Sequence, residues 1–226
     1  MNMVISKDTD KKPLFNIKEP YFLPIKDSNK TFPLRSIYCV GRNYAAHSLE
    51  MGEDDRVPPF FFSKPQWTIS NTDVKYPLDT VDLQHEVELV LAMGADSVIS
   101  GFCVGVDLTR RDLQKKAKNE GKPWFRGKSF LGSSVVSKIV LFKEKINFKD
   151  IKLKLFVNSQ LKQDGLCSDM IWSPNEITCE LSRDKKLDSG DLIFTGTPSG
   201  VGKVEKGDEI LISIPGFVEH NFFFIF

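Results

Sequence analysis

The stretch Leu83-Gln-His-Glu-Val-Glu-Leu-Val90 places two glutamates, Glu86 and Glu88, two positions apart in an apolar segment. In a β-strand, residues two apart face the same side, so the two carboxylates are predicted to project together. Val87 and Leu89 then pack on the opposite face. Two parallel carboxylates repel each other, and a hard divalent cation such as Mg²⁺ removes that repulsion by taking oxygen ligands. The stretch therefore predicts a strand with a polar face that can hold a metal ion.

A third carboxylate, Asp107, ends the apolar segment 98–106, which is predicted to be another strand. A side chain at the end of a core strand can emerge beside its neighbour. An ordinary alternative stays open for all three residues. Glu86 and Glu88 would then form the solvated face of an edge strand, and Asp107 would be a cap or a surface charge.

The rest of the chain is predicted to contain many short strands and few helices. Residues 1–30 are polar and broken by prolines, so we expect an N-terminal arm followed by one domain over residues 31–226. The predicted strands are 36–40, 60–62, 87–93, 98–106, 151–157, 160–166, 192–195, 209–214 and 219–225. The predicted helices are 43–51, 109–120 with Thr109 as N-cap, and 174–183 with Pro174 at N1. This pattern favours a β-rich α+β fold, a mixed β-roll or barrel-like domain with few short helices.

Composition and charge exclude several classes of function. A net charge of +1 gives no field that would attract nucleic acid or an anionic membrane. No apolar run approaches the roughly 20 residues needed to cross a bilayer, and the first twelve residues lack the apolar stretch of a secretory signal. Four cysteines form no CxxC pair, and Cys39 and Cys103 lie in apolar, strand-like runs, which favours two buried thiols in a reducing compartment. We expect a cytoplasmic protein, with the mitochondrion as the alternative.

Several motifs, in this order, resemble the fumarylacetoacetate hydrolase family and within it the acylpyruvase and oxaloacetate decarboxylase branch. The motifs are CVGRNYAAH at 39–47, HEVEL at 85–89, GVDLTRRDLQ at 105–114, GKPW at 121–124, GKSF at 127–130 and GDLIFTGTPSGVG at 190–202. The resemblance runs from about residue 35 to the C-terminus. It implies a mixed β-roll fold, a homodimer, and a Mg²⁺ or Mn²⁺ ion held by Glu86, Glu88 and Asp107.

The same resemblance assigns roles to other side chains. His47 and Glu50 match a pair on a lid that closes over the substrate, and Lys128 matches the active-site lysine. The matched substrate-binding positions are Arg42, Arg111, Gln114 and Thr197. Two residues three apart share a helix face, and a carboxylate that accepts from one imidazole nitrogen favours the other nitrogen as a base.

Plainer interpretations of these residues remain open. His47 and Glu50 can be a surface pair, and Lys128 can be a solvated loop charge. The segment 196–200 is either a tight turn or a source of backbone N–H groups and the Thr197 hydroxyl for a carboxylate. His85 is either a group that supports the metal site or an ordinary hydrogen-bonded histidine.

The resemblance implies an enzyme acting on small 2-oxo acids. The substrate would bind the ion through its carboxylate and keto oxygen, and Lys128 would add positive charge where an enolate develops. Hydrolysis of an acylpyruvate and decarboxylation of oxaloacetate share that enolate. The alternatives are an isomerase, a hydratase or a decarboxylase of a related acid, a binding protein without turnover, and a structural dimer module.

One departure from the family concerns the connection between two of the carboxylates. Only 18 residues, 89–106, separate Glu88 from Asp107, fewer than is usual in the family. We expect a trimmed loop with the register of both strands kept.

Overall fold

The structure is a computed structural model that describes residues 14, 21–44, 57–144 and 146–226. The strands are β1 Phe22–Pro24, β2 Thr31–Pro33, β3 Ser36–Gly41, β4 Phe60–Lys64, β5 Ile69–Ser70, β6 Val74–Lys75, β7 Leu83–His85, β8 Val87–Met93, β9 Ile99–Asp107, β10 Thr109–Arg110, β11 Ser134–Val136, β12 Val140–Leu141, β13 Lys152–Val157, β14 Gln160–Leu166, β15 Asp191–Phe194, β16 Gly202–Lys203, β17 Glu209–Ile214 and β18 Val218–Ile225. The α-helices of the described ranges are α1 Arg111–Asn119, α2 Phe125–Lys128 and α3 Pro174–Asp184. Short strands thus outnumber helices, and the predicted β-rich α+β class is confirmed.

The central element is a mixed eight-stranded sheet in which β8 and β9 lie side by side. Its order is β4-β3-β15-β8-β9-β11-β5, with β12 added to β9. β15 runs parallel to β3 and antiparallel to β8. Sequence neighbours such as β8 and β9 pair as a hairpin, whereas β3 and β15 are brought together from distant parts of the chain.

β8 is buried along its whole length, because apolar clusters cover both of its faces. Leu89 and Leu91 belong to one cluster, which also contains residues of the second sheet such as Leu153 and Ile212. Val90 and Ala92 belong to the other cluster. The predicted strand 87–93 is confirmed, and its continuous apolar run after Glu88 suits a strand that is covered on both sides.

The second sheet has five strands in the order β14-β13-β17-β18-β6. In β13 and β17, every second residue is buried against the first sheet and the others face outward. Asn158 and Ser159 have φ of 49° and 65°, so they form the tight turn that was predicted between β13 and β14.

The predicted trimmed connection is a short turn between β8 and β9. It contains the 3₁₀ segment Ala95–Ser97. The strands keep a continuous antiparallel register near the site, with Glu88 opposite Gly105. That this turn replaces a longer connection with the family's strand register kept stays a prediction.

Two helix predictions need correction and one is confirmed. Thr109 is not an N-cap, because it lies in β10 opposite Gln84, and α1 begins at Arg111. Tyr44 forms an isolated bridge with Met170, so no helix begins at Asn43, and residues 45–51 lie outside the described ranges. The confirmed case is α3, which begins with Pro174 at N1 and a complete capping box of Ser173 and Glu176.

The residues from Tyr21 onward pack against the main domain. β1 pairs with β2, and Leu23 and Ile25 are buried in the core. The division into an arm over residues 1–30 and a domain over 31–226 stays a proposal. Within the described ranges, no helix has both the length and the apolar character that crossing a bilayer requires.

Candidate functional site

Three carboxylates converge where β8 and β9 meet the start of β10. Glu86 lies in the break between β7 and β8, Glu88 is in β8, and Asp107 ends β9. The Asp107 N–H donates to the Glu86 carbonyl at 2.9 Å, which holds the two residues side by side. One carboxylate oxygen from each residue lies within 4.8 Å of the others, and all three residues are buried. The predicted convergence is observed, and the alternative of a solvated edge-strand face is wrong.

Lys128 lies among these carboxylates. Its ammonium donates to Glu86 Oε2 at 2.8 Å, to Asp107 Oδ2 at 2.6 Å and to Thr109 Oγ1 at 2.7 Å. Lys128 is buried, so the alternative of a solvated loop charge is wrong. Burial alone would lower the pKa of Lys128, but the charges of Asp107 and Glu86 outweigh it and raise that pKa. The lysine therefore keeps its positive charge.

Close packing of α2 on α1 brings Lys128 to the carboxylates. A Cβ on Gly127 would lie 3.0 Å from the Cβ of Gln114, tighter than ordinary van der Waals contact. The Lys128 N–H donates to the carbonyl of Trp124 at 3.0 Å, which fixes the last turn of α2. The glycine of the GKSF motif thus permits the approach that carries the lysine into the site.

Arg111 begins α1 and bridges three side chains of the site. Its guanidinium donates to Gln84 Oε1 and to Gln114 Oε1, each at 2.7 Å, and also to the carboxylate of Glu86. The planar fork of donors in arginine suits such a bridge. Arg111 and Gln114, both predicted from the resemblance, are therefore brought beside the carboxylates.

The two glutamates have opposite pKa shifts. Burial alone would raise the pKa of Glu86, but Lys128 and Arg111 outweigh it and lower that pKa to about 2. Burial, together with the charges of Asp107 and Glu86, raises the pKa of Glu88 well above its usual value of 4.5. Without a metal ion, Glu88 is thus the carboxylate with the least compensation for its negative charge.

Glu88 accepts a hydrogen bond from the loop after β15. The N–H of Gly196 donates to Glu88 Oε2 at 2.7 Å. Gly196 has φ of 96°, and a Cβ there would lie 2.7 Å from the Cβ of Asn43. A glycine is therefore required for this approach. Segment 196–200 was predicted either as a tight turn or as a source of N–H groups for a carboxylate. It does donate a backbone N–H to a carboxylate, and the acceptor in the structure is Glu88.

Gln163 holds this loop against the start of β8. Its amide nitrogen donates to Thr197 Oγ1 at 2.8 Å and to the Pro198 carbonyl at 2.9 Å. Its amide oxygen accepts from the N–H of Val87 at 3.0 Å and lies 2.9 Å from Nδ1 of His85. Burial lowers the pKa of His85, although its contact with Gln163 opposes this shift. His85 therefore supports the loop and strand through Gln163.

Sequence reasoning missed Lys64 and Gln163. Lys64 ends β4, is 2% exposed, and donates to Asp107 Oδ1 and the Ser133 carbonyl, each at 2.6 Å. The sequence did contain a signal for Lys64. Phe60, Phe62 and Lys64 alternate along an apolar strand, so their side chains lie on one face of it. Gln163 gave no clear signal, because β14 buries this polar residue while Leu161 is exposed.

A cavity of about 720 Å³ opens above the carboxylates. Its lining includes the predicted residues Arg42, Arg111, Gln114, Lys128 and Thr197, together with all three carboxylates. Arg42 lies over the ring of Phe60, at 6.0 Å from the centroid. His47 and Glu50 lie outside the described residues, so their predicted lid position stays a prediction.

The fold and the site define a β-roll protein with three buried carboxylates facing one cavity. Residues 36–222 match the family described as fumarylacetoacetate (FAA) hydrolase C-terminal. The chain therefore belongs to the fumarylacetoacetate hydrolase family, and the resemblance stated from its motifs is confirmed.

Similar proteins carry names that fit the acylpyruvase and oxaloacetate decarboxylase branch of this family. A human protein named oxaloacetate tautomerase FAHD1, mitochondrial, is 39% identical over 201 residues, covering 83% of this chain and 90% of that protein. A Dictyostelium discoideum protein named oxaloacetate decarboxylase, mitochondrial, is 37% identical over 196 residues, covering 80% and 89%. The crystal structure of Pseudomonas aeruginosa fumarylpyruvate hydrolase with Mn²⁺ and pyruvate superposes with a TM-score of 0.89. It is 38% identical and covers 95% of this chain and 99% of that one.

Proposed function

We propose that the chain is a metal-dependent enzyme that hydrolyses acylpyruvates or decarboxylates oxaloacetate. The observation that carries this proposal is the convergence of three buried carboxylates beside the ammonium of Lys128. A purely structural module gains nothing from burying such a cluster, since buried charges are costly unless they are paired or bind a metal.

Glu86, Glu88 and Asp107 would hold a Mg²⁺ or Mn²⁺ ion. The donor set fits, because hard divalent cations take carboxylate oxygens and one oxygen from each residue lies within 4.8 Å of the others. The similar Pseudomonas aeruginosa enzyme contains Mn²⁺ together with pyruvate, which supports the assignment. When bound, such an ion supplies a Lewis acid to the keto group of a 2-oxo acid.

The other residues of the cavity would bind the substrate and hold charge. Lys128 provides a fixed positive charge where an enolate oxygen gains negative charge. Arg111 and Gln114 lie beside it and would orient the substrate carboxylate, while Thr197 and Arg42 line the cavity walls. For hydrolysis, His47 with Glu50 would activate the water that attacks the distal carbonyl, a step that decarboxylation does not need.

Two substrates and a chelator test the proposal. The purified chain is assayed with acetylpyruvate and with oxaloacetate in the presence of Mg²⁺ or Mn²⁺, and again after EDTA. We expect turnover of at least one substrate, its loss with EDTA and its recovery with added metal. Tight metal-dependent binding without turnover would identify a binding protein instead, and absence of both would contradict the proposed site.

The lid pair has its own test. The variant His47→Ala is expected to lose acylpyruvate hydrolysis while retaining most oxaloacetate decarboxylation, because only hydrolysis needs an activated water. Equal losses of both activities would count against this role for His47.

Tautomerisation of oxaloacetate is the second candidate, and the name of the human relative favours it. Interconversion of keto and enol forms needs the same enolate but breaks no C–C bond. A coupled assay with malate dehydrogenase, which consumes one form, measures this rate separately from CO₂ release. A fast rate without CO₂ release would assign the tautomerase reaction.

The compartment is also a proposal. The sequence favours the cytoplasm, while the human and Dictyostelium relatives are named as mitochondrial. Fractionation of cells that express the full-length protein distinguishes the two locations.

A further inference from the structure

One face of α1 forms a polar row that leads away from the carboxylates. Arg111, Gln114, Lys115 and Lys118 occupy positions i, i+3, i+4 and i+7, which lie on one side of a helix. All four line the cavity. Arg111 contacts Glu86 at the inner end of the row. An α-helix rises about 1.5 Å per residue, so Lys115 lies roughly 6 Å further along the axis than Arg111.

Aromatic residues form another part of the cavity lining. The ring of Trp124 packs edge-on against Phe60 and Phe62, with centroids 5.3 Å and 6.1 Å apart. The ammonium of Lys118 lies 5.9 Å from the centroid of the Trp124 ring. The cavity thus offers apolar surface for a carbon chain and positive charge on the outer part of α1.

The described lining of the outer cavity carries positive charge. Within the described ranges, the acidic residues that line the cavity are Glu86, Glu88 and Asp107, and all three are buried at its base. Lys115 is exposed and forms no ion pair with any residue of those ranges. Among the described residues, the nearest acidic side chain along α1 is Asp112, and its carboxylate accepts from Thr80 Oγ1 at 2.7 Å and from the N–H of Val81 at 3.0 Å. A carboxylate that reaches the level of Lys115 would therefore meet a cation that lines the cavity.

We propose that Lys115 binds a second carboxylate at the far end of an extended 2-oxo acid. This inference rests on the proposed function, in which the 2-oxo acid end binds beside Glu86, Glu88 and Asp107. Such a ligand needs a chain long enough to pass from the inner end of α1 to its second turn. A four-carbon diacid such as oxaloacetate would place its second carboxylate nearer Arg111 and Gln114 than Lys115.

A matched pair of ligands tests this role by binding alone. 2-Oxoadipate and 2-oxohexanoate have equal chain lengths, and only the former carries a second carboxylate. Neither has the second keto group that C–C hydrolysis needs. Calorimetric titration of the Mn²⁺-loaded full chain measures both affinities for the wild type, Lys115→Ala, Lys115→Glu and the control Lys116→Ala. Lys116 is the exposed neighbour that does not line the cavity.

We expect the wild type to prefer 2-oxoadipate, and Lys115→Ala to weaken that ligand about fivefold, as for an ion pair that stays partly exposed. Lys115→Glu should weaken 2-oxoadipate binding further. The affinity of these variants for 2-oxohexanoate should equal that of the wild type, and Lys116→Ala should bind both acids as the wild type does. Equal wild-type affinity for the two acids, or equal effects of Lys115→Ala and Lys116→Ala, would overturn the role of Lys115 and leave the proposed function standing. Failure of both acids to bind the Mn²⁺-loaded chain would overturn the proposed function and this inference together.

Discussion

Charge balance at single residues explains why the carboxylate cluster can be buried. Glu86, Asp107 and Glu88 carry the negative charge, and Lys64, Lys128 and Arg111 contact the first two of them. The Glu88 carboxylate accepts a backbone N–H from Gly196. Three basic side chains thus stand beside three acidic ones. A bound divalent ion would add positive charge to this balance, and an anionic substrate would offset it, which suits a site for 2-oxo acids.

Replacing Lys64 by Met should reveal how strongly this balance holds the metal-free protein. Removing one partner of a buried ion pair costs about 3–5 kcal/mol, and among the described residues Asp107 would be left with Lys128 as its charged partner. We expect Lys64→Met to melt at a lower temperature than the wild type. Mn²⁺ should raise its melting temperature more than that of the wild type, since the ion replaces the missing charge.

The exposed Lys116→Met variant is the control for Lys64→Met, and thermal unfolding with and without Mn²⁺ is the measurement. The control should melt with the wild type. If Lys64→Met has the melting temperature of the wild type in EDTA, the contact between Lys64 and Asp107 contributes little to stability.

At the residue scale, spacing marked candidates and the family resemblance assigned them as metal ligands. Glu86 and Glu88 were candidates because two carboxylates at alternate positions in an apolar stretch are costly without a cation, but spacing by itself left a solvated edge-strand face open. Asp107 was found because it ends a core strand. Lys64 was missed, since a single lysine at the end of a strand is usually a surface charge until its partner across the sheet is known.

Turns between elements carry local strain that substitutions can relieve. Ser159 has φ of 65° in the turn between β13 and β14, where a side chain costs about 1–2 kcal/mol and glycine costs little. We expect Ser159→Gly to stabilise the protein by about 1 kcal/mol, measured by urea unfolding at equilibrium. Ser159→Ala, which keeps a Cβ, should give no gain, and a stabilised Ser159→Ala would contradict this explanation.

At the element scale, short strands with clear boundaries were predicted well, because alternation and turn residues are local signals. β17 was predicted with its observed bounds, Glu209–Ile214. The start of α1 was misplaced, because Thr109 and Arg110 pair with Gln84 and Leu83 of β7. That pairing between distant residues overrides the local preference of Thr109 for an N-cap.

At the scale of the whole molecule, the family resemblance predicts a homodimer. Sedimentation at micromolar concentration should then show a species of twice the 25.6 kDa chain mass. A single-chain mass that persists as the protein concentration rises would contradict this prediction.

The whole-molecule architecture depended on the resemblance more than on local patterns. Local signals indicate strands but not the order in which β3 and β15 meet β8. That order brings Gly196, in the loop after β15, to Glu88 in β8. The contact joins residues 108 positions apart in the chain, which no local pattern can predict.

The most direct test of the account is Mn²⁺ binding to the purified full-length chain by equilibrium dialysis. We predict one ion bound per chain, loss of binding in Glu88→Gln, and retained binding in the exposed control Glu219→Gln. Absence of Mn²⁺ binding by the wild type, or wild-type affinity in Glu88→Gln, would contradict the claim that Glu86, Glu88 and Asp107 form a metal site.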